Sequence, residues 1–199
     1  MNIGLLGGAF DPIHMGHLVI AEEARAKLSL GKVFFIPTGQ PWLKAGHSIT
    51  PAVHRVEMAR RAIADNPHFE LCTMEVERPG FSYTVDTITA LKDNLGEQSL
   101  FFILGQDSFV GLNLWKDPDR LVRMCRLVVV PRLGLALPDL DSMALSIPGL
   151  RDSVVELDAP VIGISSSEIR RRVSQSLPIR YLLPEGVGDY IREQGLYKD

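Results

Sequence analysis

Residues 7–17 read Gly7-Gly8-Ala9-Phe10-Asp11-Pro12-Ile13-His14-Met15-Gly16-His17 and join two segments of different periodicity. Before them, residues 2–6 are short and mostly apolar, as expected of a buried strand. After them, apolar and charged residues recur at helical spacing over 18–28. Paired glycines allow a sharp bend and a close approach to a ligand, and a helix N-terminus presents free N–H groups to an anion. This strand–turn–helix pattern therefore predicts a phosphate site, with His14 and His17 facing one pocket.

The composition is typical of a globular protein and excludes several classes of partner. With 199 residues, 46% hydrophobic and 23% charged, the chain is expected to fill one sizeable core. A formal net charge of −3 argues against a nucleic-acid partner, which usually requires a basic surface. We find no apolar run long enough for a transmembrane helix and no signal-peptide pattern, so no membrane partner is expected. Cys72 and Cys125 lack metal-ligand spacing, which favours reduced thiols and a cytoplasmic location.

Strand-like and helix-like segments alternate along the chain. The strand-like segments are 2–6, 32–37, 69–76, 99–104, 126–131 and 153–157. Helices are expected between them, one of them beginning at Thr50-Pro51 with threonine as its cap. The alternation predicts an α/β fold, namely a Rossmann-like doubly wound parallel sheet of five to six strands with helices on both faces. We expect a single domain over 1–199, in which 160–199 forms a C-terminal helical part.

Two further segments follow predicted strands and are expected to share a cleft with residues 7–17. In Gly105-Gln106-Asp107 the carboxylate either caps a helix or accepts hydrogen bonds from a ribose. Ile164-Ser165-Ser166-Ser167-Glu168-Ile169-Arg170 opens a helix, because Ser165 and Glu168 fit a reciprocal capping box. In isolation that segment would be interpreted as a capped surface helix. Its occurrence together with residues 7–17 instead favours a second anion-binding helix N-terminus.

Taken together, GGAFDPIHMGH and ISSSEIR resemble the signatures of the HxGH nucleotidyltransferase superfamily, and most closely those of bacterial nicotinate mononucleotide adenylyltransferases. The family's second signature is ISSTxIR. Its pyridine-nucleotide elements are similar to SYTVDT at 82–87 and to a tryptophan soon after GQD, here Trp115. The resemblance covers nearly the whole chain. It implies adenylyl transfer from ATP to nicotinate mononucleotide, which gives nicotinate adenine dinucleotide and pyrophosphate, a step of NAD biosynthesis.

The resemblance also implies roles for individual residues. His14, His17 and Arg170 are expected to be catalytic, because they would contact the ATP phosphates and stabilise the transition state. The expected ATP-binding residues are Gly7, Gly8, Ala9, Phe10, His14, His17, Gly105, Asp107, Arg132, Ile164, Ser165, Ser166 and Arg170. The expected residues for nicotinate mononucleotide are Lys44, Tyr83, Thr84 and Trp115.

The acceptor side carries the expected specificity. The nicotinate carboxylate would lie near the amide of Thr84, at the start of a helix, and a neutral nicotinamide would gain less there. Trp115 is by itself most simply a packing residue, and only the resemblance favours stacking on the pyridine ring. One segment departs from the family pattern, since Pro41-Trp42-Leu43-Lys44 replaces the common PPHK. The usual histidine contact is then lost or supplied by His47.

The implied reaction explains why the sequence contains no catalytic triad. A phosphate with a second pKa of about 6 is largely a dianion at neutral pH, so no protein base is needed. Positioning and electrostatics then dominate the chemistry. Mg²⁺ is expected to bind with ATP and not at a dedicated protein site, because His14 and His17 lack a third ligand. The expected partners are ATP and nicotinate mononucleotide, and a homo-oligomer is compatible with the sequence.

There are three alternatives, one of them a related enzyme and one a non-catalytic protein of a different class. A related adenylyltransferase with another acceptor, such as phosphopantetheine, is disfavoured by SYTVDT and Trp115. A non-catalytic nucleotide sensor is disfavoured by the intact His14, His17 and Arg170. A class I aminoacyl-tRNA synthetase shares an HxGH-type motif, but the chain lacks an anticodon-binding domain and a basic surface.

Overall fold

The computed structural model of the protein describes residues 1–42, 49–131 and 138–198. The strands are β1 (Asn2–Gly8), β2 (Lys32–Pro37), β3 (Gln40–Pro41), β4 (Phe69–Leu71), β5 (Phe81–Ser82), β6 (Ser99–Gly105), β7 (Arg126–Val130) and β8 (Val154–Glu156). The helices are α1 (Met15–Lys27), α2 (Ala52–Ile63), α3 (Met74–Glu77), α4 (Thr84–Leu95), α5 (Gln106–Val110), α6 (Pro118–Met124), α7 (Leu140–Ala144), α8 (Leu150–Ser153), α9 (Ser166–Ser174) and α10 (Glu185–Gln194). None of the helices in these ranges is both long and apolar enough to cross a bilayer.

Six of the strands form one parallel sheet in the order β4-β2-β1-β6-β7-β8. The chain builds outward from β1 through β2 to β4, and then returns to the other side of β1 with β6. The strand order therefore reverses between β1 and β6, which is the position where ligands bind in open sheets of this kind. The predicted α/β, Rossmann-like parallel sheet is confirmed, with six strands.

Both faces of this sheet are covered by helices, which explains why its central strands are apolar at successive positions. Helices α1, α2, α9 and α10 pack on one face, and α4, α5, α6 and α8 pack on the other. Buried residues of the first face include Leu6, Phe35, Ile103, Ala24, Met58, Ile169 and Val187. Buried residues of the second face include Leu5, Ile36, Phe102, Ile88, Phe109, Leu121 and Leu150.

Two predicted boundaries were wrong because nearby groups compete for the backbone. Helix α2 has Pro51 at its N-cap, and Thr50 is instead held in the loop by its N–H bond to Asp11. The strand predicted over 69–76 ends at Leu71. The chain then turns into α3, in which the carbonyl of Thr73 accepts the first helical hydrogen bonds.

The paired glycines do not form the predicted bend. Gly7 and Gly8 are the last residues of β1 and continue its parallel pairing with β2 up to Pro37. Close packing explains Gly8 instead, since a Cβ on it would lie 3.0 Å from the ring of Phe10. The chain leaves the strand at Ala9, and the turn follows at Asp11 and Pro12.

Candidate active site

A cleft of about 910 Å³ opens at the carboxyl ends of β1, β6 and β7, where the strand order reverses. The sequence-predicted residues that line it are Gly7, Ala9, His14, His17, Gly105, Asp107, Trp115, Ile164, Ser165, Ser166 and Arg170. Gly8, Phe10, Tyr83 and Thr84 lie outside the described lining. The predicted Lys44 and Arg132, together with Leu43 and His47, fall outside the described residues.

The two motif histidines stack on each other at the start of α1. Their ring centroids are 3.7 Å apart, with an angle of 30° between the ring planes. The backbone N–H of His14 donates to Nδ1 of His17 at 3.1 Å. Because Nδ1 accepts this bond, a neutral His17 carries its proton on Nε2. His17 is thereby set up as a hydrogen-bond donor in the wall of the cleft.

Phe10 supports this arrangement from below and does not face the cleft. Its φ is 50°, in the left-handed region that side chains other than glycine seldom adopt. This conformation buries the ring, which is 2% exposed, edge-on against His17 at 5.1 Å. The side chain of Phe10 therefore packs behind the histidine pair, so the predicted contact of this residue with ATP would be made by its backbone.

Helix α9 docks its first turn onto the loop of the first motif. Ser166 Oγ donates to the carbonyl of Pro12 at 2.9 Å, and Arg170 Nη1 donates to the carbonyl of Asp11 at 2.7 Å. Ser165 caps the helix by accepting the N–H of Glu168 at 3.2 Å. Only this half of the predicted capping box is formed, because the Glu168 carboxylate binds the guanidinium of Arg171, one turn further along the helix. The two signatures are thus joined by direct hydrogen bonds.

Arg55 is a buried cation behind the same loop, and it was not predicted from the sequence as a residue of the site. Its guanidinium, 1% exposed, donates to the carbonyls of Ala9 (2.8 Å), Thr50 (2.8 Å) and Gly39 (3.2 Å). Burial lowers the pKa of Arg55, whereas the negative charge of Asp11 raises it. The sequence signal was present, since Arg55 shares a helical face with Met58 and the alanines at 59 and 62, which are all buried.

A second buried charge stands behind the start of α4. Glu75 is 7% exposed and accepts a hydrogen bond from Thr87 Oγ1 at 2.7 Å. Burial raises the pKa of Glu75, and the hydrogen bonds from Thr87 and Ser82 oppose the shift. The hydroxyl of Ser82 also accepts the N–H of Gly39 at 3.1 Å. This network ties α3 and α4 to the loop that follows β2.

Of the residues predicted to bind nicotinate mononucleotide, one lines the cleft and others lie beside it. Trp115 lines the cleft and lies edge-on to Phe102, with ring centroids 6.0 Å apart, so it both packs and faces the open volume. Tyr83 precedes α4 as its N-cap, and the centroid of its ring lies 4.8 Å from Lys116 Nζ. Lys116 in turn binds the carboxylate of Asp86 at 2.9 Å. The start of α4 is therefore linked to the cleft through the residue that follows Trp115.

In the part of the chain that the structure describes, we find no group of three or more His, Cys, Asp or Glu side chains placed to hold a metal ion. The cleft instead presents imidazole, guanidinium, hydroxyl and backbone N–H groups, which suit the oxygens of phosphates.

Comparisons with known proteins agree with this chemistry. The profile of the cytidylyltransferase-like family matches residues 5–172. A probable nicotinate-nucleotide adenylyltransferase of Dehalococcoides mccartyi is 44% identical over 198 residues, covering 99% of this chain and 97% of the relative. Its counterpart in Roseiflexus sp. (strain RS-1) is 46% identical over 196 residues, covering 98% of each chain. The solved Plasmodium falciparum nicotinic acid mononucleotide adenylyltransferase complexed with NaAD shares the fold, with a TM-score of 0.80, 21% identity and coverage of 98% and 97%.

Proposed function

The chain belongs to the nicotinate-nucleotide adenylyltransferases of the cytidylyltransferase-like family, and we propose that it transfers the adenylyl group of ATP to nicotinate mononucleotide. The products are nicotinate adenine dinucleotide and pyrophosphate, in a step of NAD biosynthesis. The observation that carries the proposal is the docking of α9 onto residues 11–12, because it puts His14, His17 and Arg170 in the wall of one cleft. We further propose a cytoplasmic enzyme that works as one domain.

In the proposed reaction the phosphate of the mononucleotide attacks the α-phosphorus of ATP. A new phosphorus–oxygen bond forms there, while the bond to the oxygen bridging to the β-phosphorus breaks and its electron pair leaves with pyrophosphate. The attacking group is already largely a dianion at neutral pH, so no side chain has to remove a proton. His17 Nε2–H and the Arg170 guanidinium would donate to the phosphate oxygens on which charge accumulates.

The residues of the cleft also suggest how Mg²⁺ would be held. Mg²⁺ bound to the phosphate oxygens of ATP would neutralise part of their charge and orient them. Asp11, one of the carboxylates lining the cleft, already accepts hydrogen bonds from Tyr197 and Thr50. Because this carboxylate is engaged by the protein, the cleft fits a metal that is bound by the phosphates of ATP and enters with the nucleotide.

We propose that the pyridine ring of the acceptor stacks on Trp115 and that its carboxylate lies at the first N–H groups of α4, near Thr84 and its neighbour Tyr83. The positive end of a helix of 12 residues favours the acid over the neutral amide. Lys44 is proposed to add positive charge at the phosphates.

The test is pyrophosphate release from ATP and Mg²⁺ with nicotinate mononucleotide, nicotinamide mononucleotide and phosphopantetheine as parallel acceptors. We expect strong turnover with the nicotinate form and a loss of about 100-fold or more in His17→Ala. His68→Ala, at an exposed histidine outside the described cleft lining, is the matched control and should retain full activity. Turnover with the amide alone would refute the carboxylate site at Thr84. Tight ATP binding without turnover on any acceptor would refute the enzyme and favour a nucleotide sensor.

A further inference from the structure

The segment after α10 reverses direction and brings Tyr197 back to the first motif. Gly195 ends the helix with φ 61°, and the N–H of Leu196 bonds back to the carbonyl of Ile191 at 3.0 Å. Tyr197 follows with φ 61°, a left-handed conformation that a tyrosine seldom adopts. The structure thus retains an unfavourable backbone conformation that aims this ring at Asp11.

The tyrosine hydroxyl is bonded to the motif carboxylate. Tyr197 OH donates to Asp11 Oδ1 at 2.7 Å and lies 3.9 Å from Met58 Sδ. Burial raises the pKa of Tyr197 well above its usual range, and the hydrogen bond to Asp11 adds to the shift. The hydroxyl therefore stays protonated and remains a donor at neutral pH.

Asp11 connects three parts of the chain. Its side chain is nearly buried, with 7% exposure, and its second carboxylate oxygen accepts the N–H of Thr50 at 3.3 Å. Its carbonyl oxygen accepts the guanidinium of Arg170 at 2.7 Å. The carboxylate of this residue is thus held by Tyr197 and Thr50, while its carbonyl holds Arg170. A movement of the side chain that shifts the Asp11 peptide plane would also shift the anchor of Arg170.

We propose that Tyr197 is a positioning residue for the adenylyl transfer, acting through Asp11 to set the orientation of Arg170 in the phosphate wall of the cleft. Tyr197 lies outside the described lining of that cleft, so it is assigned no contact with either substrate. This inference rests on the proposed function, because Arg170 is assigned its role there.

The first test compares Tyr197→Phe with Tyr181→Phe. Both changes remove only a hydroxyl, but the Tyr181 ring is 81% exposed, so it is the matched control. Pyrophosphate release is measured well below the lower of the two melting midpoints, so that unfolded protein does not contribute. For Tyr197→Phe we expect kcat to fall about tenfold with a much smaller change in KM for ATP, because a misaligned Arg170 weakens transition-state binding most. Tyr181→Phe should match the wild type.

A double-mutant cycle with Arg170→Lys tests whether the effect passes through the arginine. If it does, Tyr197→Phe lowers kcat by a much smaller factor in the Arg170→Lys background than in the wild type. A lowered melting midpoint with kcat within about twofold of the wild type would mean a purely structural tyrosine and would overturn the proposal. The proposal would also be overturned if the free-energy effects of the two substitutions on kcat simply added in the double variant. Absence of turnover in the wild type itself would refute the proposed function, and with it this inference.

Discussion

Replacing Arg55 by methionine removes the buried cation that ties α2 to the loop of the first motif. The three carbonyls that it binds belong to Ala9, Thr50 and Gly39, so one side chain connects three separate loops. Methionine fills much of the same volume but donates no hydrogen bond. The three carbonyl oxygens are then left without this donor.

The distances allow the size of the effect to be worked out. Two of the bonds measure 2.8 Å and the third 3.2 Å, and a hydrogen bond from a charged donor contributes about 1.5 kcal/mol or more. Methionine avoids the cost of desolvating a buried guanidinium, and its apolar side chain is itself buried. Both effects offset part of the stability lost with the hydrogen bonds. We therefore expect the free energy of unfolding to fall by about 3 kcal/mol, a large fraction of the total stability of a typical domain. Arg55→Lys should lose less, because it keeps the charge but not the planar fork of donors.

Urea unfolding of Arg55→Met and Arg60→Met provides the measurement. The Arg60 side chain, on the same helix, is 60% exposed and lies 3.8 Å from Glu57, so its replacement should change stability by about 0.5 kcal/mol or less. A loss in Arg55→Met within about 1 kcal/mol of this control, at an unchanged dependence on urea, would show that the buried bonds contribute little.

Three further predictions concern α9, the buried carboxylate and a thiol. Ser166→Ala loses the bond to Pro12, so we expect about 1 kcal/mol less stability in urea and a lower kcat for pyrophosphate release; unchanged values of both would contradict the docking argument. Burial raises the pKa of Glu75, so ionisation of this carboxyl destabilises the folded wild type as pH rises. Glu75→Gln lacks this loss, so its free energy of unfolding in urea, relative to that of the wild type, should increase from about pH 5 to pH 8. The exposed Glu77→Gln is its control and should show no such trend. Burial raises the pKa of Cys125 to about 12, so its thiol should resist iodoacetamide at about pH 8 in the native protein and react in urea, and rapid native labelling would refute this.

Features that depend on neighbouring residues could be predicted from the sequence. The parallel sheet followed from apolar segments alternating with helical spacing, and both signatures were placed after strands, where they now line one cleft. Ser165 was expected to cap α9 and does so, because an N-cap depends on the residues of the first turn. Glu168 was misassigned because its carboxylate has a second partner, Arg171, on the same helix.

The failures concern contacts between residues that are distant in the sequence. The position of the Phe10 ring was not predicted: the left-handed backbone at that residue turns the ring into the core behind His17, and Phe10 remains a predicted ATP-binding residue through its backbone. Arg55 lies on the buried face of α2, but the carbonyls that it binds belong to other segments, and Glu75 is buried against Thr87 and Ser82. Their partners were not evident from any local pattern.

By itself the sequence determined the fold class, the family and the segments that meet at the carboxyl ends of the strands, because periodicity and short motifs depend on residues close together along the chain. The tertiary structure alone decided which groups hold those segments in place. Tyr197 reaches Asp11 across 186 positions, and Arg170 reaches the same residue across 159. Such pairs form only when the sheet has closed the long loops between them, so the hydrogen bonds that orient the site are a property of the folded chain.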